Sequence, residues 1–192
     1  MKKNLLSLPV ATLIAIATSG TVLAAETTNL DVNFTANIRE TTCDMKLVGG
    51  TGSDTAQTLI IGDSDGQVRF ENIRAGTATA NFKIVLVECP DSLQSLKTSV
   101  NGSVSSLNTA LTNSIAKASG GAENAGVAIA RTSEPDSPFV INSTVDGERL
   151  VWTPTEISNK EVPLIAIMKE TKASSLTTGK FEALATFQFN YE

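Results

Sequence analysis

Histidine is absent from this chain of 192 residues, and cysteine occurs only twice, as Cys43 and Cys89. Without an imidazole, Ser-His-Asp and Cys-His catalysis are excluded, and so are histidine-ligated copper, iron and zinc sites. Two cysteines are too few for a structural zinc site, which takes four ligands. We therefore expect no enzymatic activity, no cofactor and no bound metal.

Basic and aromatic residues are also scarce. Lys and Arg number 15 against 20 Asp and Glu, and aromatic residues make up 5% of the chain. Because nucleic-acid affinity depends on Lys and Arg that neutralise phosphates, this acidic chain is not expected to bind nucleic acid. Sugars usually stack on aromatic rings, for which the chain offers one tryptophan and one tyrosine, Trp152 and Tyr191. Trp152 follows Leu150 and Val151, so a position in the core is the simpler interpretation.

The one long apolar stretch of the sequence lies near its start. Lys2 and Lys3 precede apolar residues 5–22, and Val22-Leu-Ala24 provides small or medium side chains for a signal peptidase. Polar residues interrupt the stretch, whereas a membrane-spanning helix needs about 20 predominantly apolar residues. We predict a secretory signal peptide over residues 1–24. An isolated cysteine pair in an exported protein is most simply a disulfide, worth about 4 kcal/mol in the chain-entropy model.

Both ends of the remaining chain alternate between apolar and polar residues. This period of two is typical of a strand with one buried face. The C-terminal alternation covers residues 185–192, and the N-terminal one covers residues 30–38. The apolar positions of the N-terminal alternation are Leu30, Val32, Phe34, Ala36 and Ile38. Since they precede the segment bounded by the cysteines, we predict an arm over residues 25–40 attached to a domain over residues 41–192.

Short apolar runs separated by turn residues predict further strands within the domain. These runs are residues 43–48, 58–61, 67–73, 78–89, 98–101, 126–131, 139–143, 149–153, 162–169 and 181–191. Many short strands without long intervening helices indicate a β-sandwich. Residues 104–118 are ambiguous, because Leu107, Leu111 and Ile115 recur at helical spacing while the intervening Asn, Thr and Ser favour strands or loops.

Several features together are similar to a known family. They are the alternating arm, Cys43 shortly after it, the strand 80–89 that carries Cys89, the run Gly126-Val-Ala-Ile, and an ending in which Gly179 precedes the alternation and tyrosine stands next to last. In these features the chain resembles a chaperone-usher pathway fimbrial subunit of the type 1 and P pilin family. The resemblance implies an all-β, incomplete immunoglobulin-like sandwich that lacks its last strand and is completed by a donor strand from another subunit.

The resemblance also implies roles for particular residues. The apolar residues of the arm, Leu30 to Ile38, would enter the groove of a neighbouring subunit, although alternation alone equally allows an arm that folds back into its own groove. Gly179, Phe187, Phe189 and Tyr191 would form the groove edge that also meets a chaperone. In two respects the sequence departs from the family. Ala36 stands where the arm usually carries glycine, and residues 132–155 match no motif.

The implied function is that of a structural subunit of an extracellular fimbria that supports adhesion. Its implied partners are a periplasmic chaperone, an outer-membrane usher and neighbouring subunits in a head-to-tail polymer. It would pass through the periplasm to a fimbrium on the bacterial surface. One alternative is a tip adaptor or adhesive subunit with its own ligand contact, although the short stretch before Cys43 leaves no room for a separate receptor domain. The other is a self-contained secreted β-sandwich that binds a ligand.

Overall fold

The computed structural model describes residues 43–191, so the predicted signal peptide and the predicted arm lie outside the described residues. The strands are β1 (Asp44–Val48), β2 (Thr51–Gly52), β3 (Gln57–Thr58), β4 (Thr79–Glu88), β5 (Leu96–Asn101), β6 (Ala110–Thr112), β7 (Ala125–Arg131), β8 (Leu150–Val151), β9 (Glu161–Glu170) and β10 (Thr186–Tyr191). The helices are α1 (Phe70–Arg74) and α2 (Pro154–Asn159), and Lys117–Ser119 forms one turn of 3₁₀ helix. Neither helix is long and apolar enough to cross a membrane.

The strands form two main antiparallel sheets. The first contains five strands in the order β1-β4-β9-β7-β6, and the second contains three in the order β10-β5-β8. The hairpin of β2 and β3 lies outside both. Buried side chains of both sheets belong to one hydrophobic cluster, among them Ile84 of β4, Leu96 of β5 and Leu164 of β9. The two sheets therefore share a single core, as the predicted sandwich requires.

The two cysteines meet at one end of the β1-β4 ladder. Cys43 precedes β1 and Cys89 follows β4, and the antiparallel register sets Asp44 opposite Glu88. Their Cα atoms are 4.2 Å apart and the sulfur atoms form a disulfide. The predicted disulfide is confirmed, and it fixes the start of β1 to the neighbouring strand.

Trp152 lies in the core, as the sequence predicts. Its ring is 4% exposed, and its Nε1–H donates to the Oγ1 of the fully buried Thr98 at 2.9 Å. This hydrogen bond satisfies the one polar group of the indole, which would otherwise make burial costly. A tryptophan held in this way is not available to stack on a sugar.

The predicted strand over residues 67–73 is wrong, because residues 67–69 have no regular structure and Phe70 begins helix α1. Phe70 and Ile73 are three residues apart, so a helix turns both toward the same side, and Ile73 is 6% exposed. Gly76 follows the helix with a positive φ of 70°, and the N–H of Thr77 donates back to the Asn72 carbonyl. These are the features of a glycine-terminated helix.

Residues 139–143 do not form the predicted strand either, although their burial alternates as expected. Phe139 and Ile141 are 6% and 5% exposed. The N–H groups of these two residues, however, donate to different segments, that of Phe139 to Ile129 and that of Ile141 to Asn108. In a regular ladder, N–H groups two residues apart point to the same neighbouring strand. The ambiguous segment 104–118 contains strand β6, and the 3₁₀ turn begins at Lys117, near the end of this segment.

We expect the indole hydrogen bond to contribute measurably to stability. Thr98→Val keeps nearly the same shape but leaves the buried Nε1–H without its acceptor, which should lower the free energy of unfolding by about 1–3 kcal/mol. Urea unfolding followed by circular dichroism measures the change. In a Trp152→Phe background the same substitution should cost less, by about 1 kcal/mol or more. Equal costs in both backgrounds would show that the hydrogen bond contributes nothing.

Candidate functional site

Strand β10 has one free edge among the described residues. It pairs with β5 alone, from Thr186 opposite Asn101 to Tyr191 opposite Leu96. The backbone N–H and C=O groups on its other side therefore have no strand partner within residues 43–191. An unpaired edge of this kind can accept another strand by main-chain hydrogen bonding.

The apolar face of β10 is incompletely covered. Phe187, Phe189 and Tyr191 lie on the same sheet face as their opposite numbers on β5, which are Val100, Thr98 and Leu96. Those three β5 residues are 0–1% exposed. The three aromatic residues of β10 pack against the same core but stay partly exposed. The exposed fraction of these side chains therefore rises from the inner strand β5 to the edge strand β10.

Strand β1 shows the same loss of cover at the edge of the other sheet. Met45 lies opposite Leu86 and Leu47 opposite Ile84 in the ladder with β4. Leu86 and Ile84 are 4% and 1% exposed, whereas Met45 and Leu47 are only partly buried against the core. Each sheet thus has an amphipathic edge strand whose apolar side chains are only partly buried.

The two unfinished edges face each other across the sandwich. The ring of Phe82 on β4 lies 5.9 Å from that of Phe187 on β10, centroid to centroid. The hydroxyl of Tyr191 donates to the carbonyl of Cys43 at 3.4 Å, which joins the end of β10 to the start of β1. We call the space between these edges the groove. Its partly exposed apolar residues are Met45, Leu47, Phe187, Phe189 and Tyr191.

The outer edge of β1 is already occupied at Leu47. The N–H of Leu47 donates to the Asp54 carbonyl at 2.7 Å, and the side-chain amide of Gln57 donates to the Leu47 carbonyl at 2.7 Å. The Gln57 oxygen in turn accepts the N–H of Gly50 at 2.9 Å, which fixes the amide in place. A strand entering the groove can therefore form a continuous ladder with β10, while at Leu47 it meets β1 through side chains.

Tyr191 stays neutral over a wide pH range. Partial burial of its ring raises the pKa of the phenol, and the carboxylate of Asp44 raises this pKa further. Both effects disfavour the phenolate, because burial removes hydration and a nearby negative charge repels a second one. The hydroxyl is therefore kept as the donor that contacts the Cys43 carbonyl.

The structure brings together three of the four residues predicted for the groove edge, Phe187, Phe189 and Tyr191. Gly179 lies where the chain crosses residues 120–122, with φ of +153°, and a Cβ there would come within 2.5 Å of the Ala122 nitrogen. This close approach explains the glycine, and its role at the groove edge stays a prediction. The five predicted donor residues of the arm lie outside the described residues.

Sequence reasoning missed Met45 and Leu47 as groove residues. The alternation Asp44-Met-Lys-Leu47 carries the signal for a strand with one apolar face, yet nothing in it indicates that this face stays partly exposed. Within residues 43–191, no group of three or more Cys, Asp or Glu side chains is placed to hold a metal ion. The groove provides a binding partner with apolar contacts and with backbone hydrogen-bonding groups.

Comparisons with known proteins agree with this geometry. A family model described as "Fimbrial protein" matches residues 32–192. The uncharacterized fimbrial-like protein YadM of Escherichia coli (strain K12) is 28% identical over 173 residues, which cover 86% of this chain and 88% of YadM.

Two solved structures have similar folds. The P pilus rod subunit PapA matches with a TM-score of 0.52 and 18% identity, covering 84% of this chain and 100% of that one. A chain from a chaperone-usher pilus structure matches with a TM-score of 0.50 and 15% identity, covering 85% and 96%. The expected all-β, incomplete immunoglobulin-like sandwich is confirmed by these folds together with the open groove.

Tyr191 is the sole tyrosine of the chain, so ultraviolet difference absorbance reports its ionisation directly. We expect a pKa above the ordinary value of about 10, and a lower one in Asp44→Asn, with Asp54→Asn as the control. Because the folded-state pKa is raised, its stabilising contribution is complete below the unfolded-state pKa and is lost as pH rises through the folded-state pKa. An ordinary pKa in the parent would contradict the burial of this ring.

Proposed function

Because the chain belongs to the fimbrial protein family, we propose that it is a structural subunit of a chaperone-usher pilus that polymerises by donor-strand complementation. One observation carries the proposal, namely that partly exposed apolar residues on two edge strands face a groove beside an edge of β10 that no strand of residues 43–191 occupies. Donor-strand complementation is a known form of β-strand addition in pilins, in which main-chain hydrogen bonds supply affinity and side-chain pockets supply specificity. The role is non-enzymatic.

The sequence contains a segment whose pattern fits the groove. Residues 30–38 place five apolar side chains on one face of a strand and four polar ones on the other. At about 3.4 Å per residue this segment extends to about 30 Å, compared with about 20 Å for the six residues of β10. The arm of one subunit is therefore long enough to cover the whole exposed edge of the next.

The free energy available from such an insertion suits a durable contact. Burying Leu30, Val32, Phe34 and Ile38 at about 1.5–3 kcal/mol each gives on the order of 6–12 kcal/mol, before the entropic cost of ordering the arm. Donor and acceptor use different surfaces, so repetition of the contact produces an open filament instead of a closed ring. Each subunit would then both fill a groove and offer one.

The same groove accounts for the remaining partners. Uncovered apolar surface of this kind promotes aggregation, so a periplasmic chaperone must cover the groove until the arm of another subunit replaces it. An outer-membrane usher would be the place of that exchange. The predicted signal peptide and the Cys43–Cys89 disulfide support a route through the oxidising periplasm to a fimbrium on the bacterial surface.

A synthetic arm tests the proposal directly. The chain without residues 25–40 is purified from the periplasm and mixed with a peptide of residues 28–39. We expect a soluble 1:1 complex by size-exclusion chromatography, whereas the chain alone aggregates. Phe34→Ala in the peptide should weaken binding roughly 10- to 100-fold because a buried ring is lost, and Thr35→Ala, on the opposite face, should change it less than about twofold. A stable monomer that ignores the peptide would mean that the sandwich is complete without a donor.

The acceptor side has its own matched pair of variants. Phe189 faces the groove and the neighbouring Gln188 is exposed on the other face of β10. Phe189→Ala should weaken peptide binding by about tenfold or more, since it removes apolar contact area for the arm. Gln188→Ala keeps the same backbone edge and should bind the peptide almost as the parent does. Equal affinities of the two variants, measured by fluorescence anisotropy of a labelled peptide, would place the peptide elsewhere.

A further inference from the structure

A second apolar surface lies at one end of the groove. Leu184 is 77% exposed, Val104 46% and Leu107 38%, which makes them half of the six exposed large apolar residues among those described. The Leu184 carbonyl lies so close to Gly102 that a Cβ there would approach it to 2.6 Å. Val104 bridges to Leu111, and a hydrogen bond from the Ala110 N–H to the Leu107 carbonyl closes the turn between them. We call Val104, Leu107 and Leu184 the end patch.

The end patch and the disulfide lie at opposite ends of β10. Leu184 stands two residues before Thr186, the first residue of the strand, while Tyr191 at its other end contacts Cys43. We call this second end the Cys43 end. It also carries Val87, which is 54% exposed next to Glu88 of the β1-β4 ladder.

The length of chain between arm and domain limits where a neighbour can lie, if the arm fills the groove as proposed above. Four residues, 39–42, separate Ile38 from Cys43. Fully extended they span about 14 Å, while a domain of about 150 residues has a radius of gyration of about 15 Å. The domain of the donating subunit must therefore lie against the end of the groove at which its arm leaves.

We infer that the end patch packs against the Cys43 end of the subunit that donates its arm, which adds a contact between domains to the strand in the groove. The inference rests on the proposed function. An arm that pairs antiparallel with β10, as every described strand pair does, runs from the Cys43 end of the groove toward Leu184, so its linker leaves beside the end patch. That end presents three exposed apolar side chains, which a neighbouring domain held by a short linker covers.

The contact joins two different surfaces, so it repeats along a filament together with the strand insertion. Val87 gives the Cys43 end of the donating subunit an exposed apolar side chain to set against the patch. The end patch thus makes release of a neighbour slower than release of its arm alone. A free arm peptide and a whole neighbour fill the same groove, and only the neighbour touches the patch.

Two release rates test this inference on the mature chain assembled into filaments. The first is the rate at which excess labelled arm peptide, residues 28–39, displaces neighbouring subunits. The second is the rate at which the same peptide exchanges from a groove already filled with peptide. In the parent chain we expect neighbours to leave at least about tenfold more slowly than peptide. Leu184→Asp should reduce this ratio to within about threefold, with the peptide rate unchanged.

Matched variants keep the interpretation unambiguous. Val145→Asp also places a carboxylate at an exposed apolar site, 60% exposed, in a surface turn outside the patch, and should keep the parental ratio. Val104→Asp, a second patch variant, should reduce the ratio as Leu184→Asp does. A parental ratio near one, or patch variants that keep a high ratio while binding peptide normally, would overturn the inference and leave the proposed function intact. A parent chain that binds no arm peptide would remove the proposed function and the inference with it.

Discussion

The structure depends on an apolar core that the strands of residues 43–191 leave open on one side. Along the inner strands, side chains such as Ile84 and Val100 are almost fully buried, while their neighbours on the edge strands β1 and β10 remain partly exposed. One more amphipathic strand would cover both edges at once. Hydrophobic burial is the main favourable term both in folding and in most protein association. A strand that covers these two edges would therefore stabilise the domain and bind a partner through the same contacts. Under the proposed function, a partner strand that fills the groove would complete the fold and extend the filament in the same step.

The rest of the molecule holds the open side in a defined shape. The disulfide fixes the start of β1 to the end of β4. Gln57 and Asp54 hydrogen-bond the backbone of Leu47 and so occupy the outer edge of β1 at that point. A long linear edge is a risk for unselective pairing, and covering part of it limits the choice of partner strands. The edge of β10 that no other described strand occupies carries alternating aromatic residues, which favour one register over a slip by one residue.

Sequence patterns predicted the elements in which local and tertiary preferences agree. Strands β4 and β10 were predicted because alternation, β-branched and aromatic residues and flanking turn signals all indicate the same structure. Helix α1 was mistaken for a strand because its five residues are too few to show a helical period. Residues 139–143 show the opposite case, since Phe139 and Ile141 alternate in burial as in a strand, but their N–H groups bond to separate segments. Composition alone does not encode those partners.

The sequence by itself determined the disulfide partners and the all-β class, and it predicts an export signal and an arm whose alternation would suit a groove, because each of these depends on residue type and short spacing. Only the tertiary structure decided that Met45 and Leu47 pack against the same core as Phe187 and Phe189, that Gln57 covers the edge of β1, and that Leu184 lies beside Gly102 at one end. Exposure and pairing are set by the residues that distant segments bring into contact. A groove is therefore visible only after the chain has folded around it.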